Sequence, residues 1–187
     1  MTRRVFIIHG WDGNPNDCWL PWLKKELEKR EFEVAVPEMP KPKAPQIETW
    51  VEKIKEIAGK CDEETYFIGH SIGCQTIMRY LETLPESSKT GSLVFVAGFF
   101  NLPFLETEKE KSIAKPWLET PVDCDKVKKI AKKIIAIFSD DDPDVPLSDK
   151  ELFKKKLGAK IVVLHAKGHF SDDAGIKELP EILEYLR

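Results

Sequence analysis

Short apolar runs alternate along the chain with segments whose apolar residues recur every three or four positions. The runs are Val5-Phe6-Ile7-Ile8, Phe32 to Val36, Tyr66 to Ile68, Leu93 to Ala97, Ile134 to Phe138 and Ile161 to Leu164. They are too short for helices, and nearly unbroken apolar character is the form taken by strands buried on both faces. Six strands are therefore predicted. Helical spacing fills the gaps between them: Trp22, Leu23 and Leu27 follow Pro21, which suits a first helical turn, and Ile47, Trp50, Val51, Ile54 and Ile57 precede a stop at Gly59. Ile77, Tyr80, Leu81 and Leu84 continue the pattern after Ser71, Val127 to Ala131 and Leu152 to Leu157 mark two more helices, and Ile182, Leu183 and Leu186 give a closing one. Strand and helix in alternation predict a parallel sheet covered by helices on both sides, an α/β three-layer α/β/α sandwich.

Two stretches depart from this alternation. Pro37 to Pro45 holds four prolines and reads as an extended surface loop. Residues 98–121 are long for a connection but carry Phe99, Phe100, Leu102, Phe104, Leu105 and Trp117. A long segment so rich in aromatics is expected to form a wall or flap beside a pocket, because long loops in compact domains are usually functional or disordered and disorder disfavours aromatics. Phe99, Phe100, Phe104, Leu105 and Trp117 are the candidate pocket residues.

The length of 187 residues predicts a single domain, 1–187. Apolar residues make up 42% of the chain, which rules out intrinsic disorder. Lys and Arg number 29 against 32 Asp and Glu, a formal charge of −3, so the broad basic field that nucleic acid or an anionic membrane would require is missing. No apolar run approaches the length of a membrane span, and Met1-Thr2-Arg3-Arg4 leads into only four apolar residues, so a cytoplasmic protein with no membrane insertion is expected. Cys18, Cys61, Cys74 and Cys124 lack metal-ligand spacing and read as reduced structural thiols.

The chemistry concentrates at strand ends. Gly69-His70-Ser71-Ile72-Gly73 follows one predicted strand and precedes a helix, the context of a nucleophile elbow. Small residues on either side let the two backbones approach, while the serine hydroxyl projects above the sheet. A serine nucleophile needs a base, and the base needs an orienting acid. Ser139-Asp140-Asp141-Asp142-Pro143-Asp144 follows a later strand, and His165-Ala166-Lys167-Gly168-His169-Phe170 follows the last. The order Ser, Asp, His is the one α/β-hydrolases use. His169 is the preferred base with His165 as rival, whereas His9 and His70 read as packing residues. The turn His9-Gly10-Trp11-Asp12-Gly13 follows the first strand, so the backbone N–H groups of Trp11 and Ile72 are the expected oxyanion hole. The acidic run lacks the alternating ligands of a calcium loop, and neither GxGxxG nor GxxxxGK[ST] occurs. No metal or cofactor is expected.

HGWDG at 9–13, WLPWLKKELE at 19–28, EMPKP at 38–42, GHSIG at 69–73, SDDDPDVP at 139–146 and GHF at 168–170 together carry a resemblance over nearly the whole chain. The sequence resembles the retinoblastoma-binding protein 9 (YdeN-type) family of small serine hydrolases, within the α/β-hydrolase superfamily. The resemblance implies strand order 2-1-3-4-5-6 and a minimal fold, and no cap domain is expected because no insertion is long enough to build one. It places the acid on Asp142 and the base on His169, and implies hydrolysis of a carboxylic ester or related small-molecule acyl substrate. The alternative is a catalytically weak member of the fold acting as a binding module. The family's leucine-x-cysteine-x-glutamate docking motif departs here, with Gly59 in the leucine position of Gly59-Lys60-Cys61-Asp62-Glu63, so retinoblastoma-protein binding is not carried over.

Overall fold

A computed structural model describes residues 2–186. Its six strands are β1 (Arg4–Ile8), β2 (Glu33–Ala35), β3 (Thr65–His70), β4 (Thr90–Val96), β5 (Ala131–Ser139) and β6 (Lys160–Leu164). All pair in parallel in the order β2-β1-β3-β4-β5-β6, as the resemblance implies. The helices are α1 (Leu20–Glu28), α2 (Ile47–Ala58), α3 (Ile72–Thr83), α4 (Glu108–Glu119), α5 (Cys124–Ile130) and α6 (Asp149–Leu157). None is long and apolar enough to cross a membrane.

The alternation of side chains along each strand divides the core in two. Phe6, Ile8, Phe67, Leu93, Phe95, Ile134, Ala136 and Phe138 point to one face, where Trp50, Ile54, Ile77, Leu81, Val127 and Phe153 from α2, α3, α5 and α6 cover them. Val5, Ile7, Ile68, Val94, Val96, Ile135 and Ile137 point to the other, covered by Trp19, Leu20, Leu23 and Leu27 around α1 and by the chain's C-terminal segment. Because both faces of the central strands are buried, their sequences carry no polar alternation; β2 and β6, expected to be buried likewise, are edge strands that stay half-exposed, with Val163 43% exposed. The result is the three-layer α/β-hydrolase-like fold.

Three segments differ from expectation. Residues 98–121 are not all loop: Thr107 begins α4 through a capping box, its hydroxyl accepting from Glu110 N while the Glu110 carboxylate accepts from Thr107 N. Pro116 lies in the last turn, where it does not break the helix. Buried Arg79 on α3 donates to Trp117 O at 2.9 Å and Thr120 O at 2.8 Å, tying down the C-terminal end of α4. The stretch 37–45 is a half-buried strap rather than a free surface loop, because its carbonyls accept the indole N–H groups of Trp11 (Lys43 O), Trp50 (Pro40 O) and Trp117 (Pro45 O). The closing segment is a 3-10 helix, Pro180–Tyr185, not an α-helix.

Candidate active site

The chain turns from β3 into α3 at Ser71, whose φ of 52° is a left-handed conformation that non-glycine residues avoid. Its backbone is held there by a bond from Ser71 N to Val96 O at 2.9 Å. Close approach on either side explains the flanking glycines. A Cβ on Gly69 would lie 2.6 Å from Cys74 N, and one on Gly73 would lie 2.4 Å from Ile8 O. No other residue fits without moving backbone. The Ser71 hydroxyl makes no hydrogen bond among the described residues, and Ser71 lines a cavity of about 640 Å³.

His169 lines the same cavity and pairs with Asp142: its Nδ1 lies 3.0 Å from each carboxylate oxygen. A carboxylate only accepts, so Nδ1 carries the proton and Nε2 is free to act as base. Asp142 is itself fixed, since its Oδ1 accepts from Asp144 N at 2.9 Å and Val145 N at 3.0 Å and its side chain is 3% exposed. The other aspartates of the run have separate partners. Asp140 pairs with His165 at 2.7 Å at the surface, far more exposed than the Asp142 pair, and accepts from Ala166 N. This interaction raises the His165 pKa and lowers that of Asp140. Asp141 accepts from Ser139 Oγ and Gly168 N, while Ser139 Oγ accepts from Lys167 N, lacing the acid loop to the histidine loop. Asp144 reaches to 3.8 Å of His169 Nδ1 but is 61% exposed. Among the described residues, Asp142, Asp144 and His169 are close enough together to hold a metal ion, although a cation there would compete with the Nδ1 proton.

His9 and His70, expected as packing residues, are both buried, and both also line the cavity. His9 donates from Nδ1 to Gly10 O, accepts at Nε2 from Met39 N and meets Trp50 edge-on, and burial lowers its pKa. This links the turn after β1 to the strap, which also accepts from Asp12 N through Pro42 O. The backbone N–H groups of Trp11 and Ile72 have no acceptor among the described residues. Both belong to segments beside Ser71, and the Ile72 group is the first of α3, where the helix offers positive potential.

The structure brings only some of the expected pocket residues to the cavity. Phe99, Phe104 and Leu105 line the cavity. Trp117 does not, because it faces inward from α4 against Trp50, and Phe100 does not, because its ring packs on Phe153 at 4.9 Å. Leu102 and Ile113 replace them in the wall. The capping box at Thr107 and Glu110 is the sequence signal that could have placed Ile113 on a helix. Gly59 caps α2 at φ 55°, a conformation that the leucine of the docking motif would adopt only with strain. All four cysteines are free.

Comparison with known proteins places this geometry in a family. Over 187 residues the chain is 32% identical to YdeN of Bacillus subtilis, covering 100% of this chain and 95% of that protein. The serine hydrolase RBBP9 of Rattus norvegicus is 29% identical over 165 residues, 88% of this chain and 80% of that one. The crystal structure of the B. subtilis ydeN gene product superposes with a TM-score of 0.90 at 31% identity, covering 99% of this chain and 97% of the other. The family model described as serine hydrolase matches residues 5–187. With an elbow serine and a half-buried imidazole–carboxylate pair whose histidine shares its cavity, the chain belongs to the serine hydrolase family and is an enzyme of the α/β-hydrolase fold.

Proposed function

We propose that the chain, as one domain, hydrolyses a small or medium carboxylic ester through Ser71, His169 and Asp142. The observation that carries this reading is the His169–Asp142 pair, bonded at 3.0 Å, with His169 lining the same cavity as the strained serine. Ser71 Oγ attacks the acyl carbonyl as His169 Nε2 takes its proton, and Asp142 stabilises the imidazolium that forms. The N–H groups of Trp11 and Ile72 receive the oxyanion. Collapse expels the alcohol, which takes the proton back from His169, and water then attacks the acyl-enzyme by the same steps in reverse roles. The serine–histidine bond forms when substrate enters, as catalytic bonds commonly tighten only in the complex.

Phe99, Leu102, Phe104, Leu105 and Ile113 give the acyl group an apolar wall, and each methylene buried there contributes about 0.8 kcal/mol. Without a cap domain the wall is short, so catalytic efficiency is expected to peak at small or medium acyl chains. A series of p-nitrophenyl esters assayed with wild type and Ser71→Ala tests both statements. A steady rise through chains of a dozen carbons would refute the size limit. Fluorophosphonate labelling that fails on a folded wild-type protein would instead favour the binding-module reading.

A further inference from the structure

His70 is 6% exposed, inside the elbow, and its two ring nitrogens have unequal surroundings. Nε2 lies 2.8 Å from the carbonyl oxygen of His169. A carbonyl can only accept, so Nε2 carries hydrogen. The ring is neutral, since burial, followed by the charge of a protonated His169, lowers its pKa to about 3. Nδ1 is therefore a lone-pair acceptor, and among the described residues no donor reaches it. His9, by contrast, has both nitrogens satisfied.

Nδ1 is not sealed from the cavity, since the buried polar atoms without a partner among the described residues are on Gln75, Arg79 and Glu181, so a donor entering the cavity can reach it. His70 lines the cavity next to Ser71. A methyl group built on Gly10 would sit 3.2 Å from His70 Nδ1 and 3.5 Å from Ser71 Cβ, so glycine keeps the approach to both side chains clear. The ring cannot turn over to satisfy Nδ1 without breaking the bond to His169 O, and edge-on contact with Trp19 at 5.9 Å holds its plane.

We propose that His70 Nδ1 is a substrate-binding group of this site, accepting a hydrogen bond from a neutral donor close to the scissile ester, and that the enzyme therefore prefers hydroxyl-bearing esters. The same ring, through Nε2, positions the backbone of the catalytic base. This rests on the hydrolase reading above and adds a selectivity to it.

Two matched ester pairs locate the donor: ethyl glycolate against ethyl acetate for a hydroxyl on the acyl side, and ethylene glycol monoacetate against ethyl acetate for one on the alcohol side. Wild type is expected to favour the hydroxyl-bearing member of at least one pair by about tenfold in kcat/KM, the effect of one added hydrogen bond. His70→Gln places an amide N–H where Nε2 was and removes the Nδ1 acceptor, so the preference is expected to fall to near unity. His70→Asn keeps a polar atom near Nδ1 and loses the bond to His169 O. It is expected to lower kcat on every substrate while keeping part of the preference. Equal efficiencies within both pairs for wild type, or a preference unchanged in His70→Gln, would overturn the proposal; the latter result would assign Nδ1 to water. Fluorophosphonate labelling of each variant separates these outcomes from failure of the hydrolase reading, which would leave wild-type Ser71 unlabelled.

Discussion

Asp140, Asp141, Asp142 and Asp144 sit within five residues of chain, yet each carboxylate has different partners, and substitution should separate them. Asp142→Asn presents an amide to His169 Nδ1 and favours the wrong tautomer, so turnover is expected to drop by roughly four orders of magnitude. Asp140→Asn, Asp141→Asn and Asp144→Asn are expected to stay within about tenfold. Asparagine at 141 can still accept from Gly168 N, and the 140 pair is at the surface. Turnover of the four variants, with folding checked by circular dichroism, decides this, and a crippled Asp141→Asn beside an active Asp142→Asn would reverse the assignment. Ser71→Ala and His169→Ala should each lower turnover by roughly three to six orders of magnitude, and the double variant by little more, because these groups act as a unit. His165→Ala tests the rival base and should leave most turnover intact.

At the scale of elements, the site depends on how closely β1, β3 and α3 meet and on how α4 is pinned. Gly73→Ala drives a methyl into Ile8 O, a backbone atom that cannot step aside. A loss of at least about 1–3 kcal/mol is expected from overpacking alone, read as a lowered urea midpoint, and an unchanged midpoint would contradict the packing described. Thr107→Ala removes the N-cap of α4 and should cost about 1 kcal/mol. Since α4 carries Ile113 into the cavity wall, the same variant should raise KM for esters more than it lowers kcat. Amide exchange along 107–120 that is no faster in Thr107→Ala than in wild type would show that Arg79 alone holds the helix.

For the whole molecule, two buried neutral histidines set the response to acid. His9 and His70 both have pKa values lowered from 6.5 by burial. Below pH 6.5 the unfolded chain binds protons that the folded protein refuses, so stability falls as pH falls, by about 1.4 kcal/mol per unit for each histidine until its folded pKa is reached. For His70 that decline continues to about pH 3. Denaturant unfolding between pH 7 and 4 should therefore show a clear acid loss, and His70→Gln should reduce it. A pH-independent midpoint across that range would mean that these rings are hydrated in solution.

The strands, their parallel pairing and the serine at the elbow were legible in the sequence, because burial on both faces forces unbroken apolar runs in the central strands and a strained strand-to-helix turn forces small neighbours, whereas the order of the strands across the sheet came from the resemblance. Ser71 and His169 stand at strand ends that the pattern alone exposes. The sequence could not choose among four adjacent carboxylates from local chemistry, since all share one composition; Asp142 came from the resemblance, and its pairing with His169 depends on how two loops lace together across β5 and β6. Nor could it show that Trp117 faces the core while Ile113 faces the cavity, because side selection on α4 is set by Trp50, Arg79 and the strap at 37–45, all distant in sequence. The free acceptor on His70 is likewise a tertiary fact. Its tautomer is decided by a carbonyl ninety-nine residues away, and no spacing along the chain encodes which nitrogen that carbonyl meets.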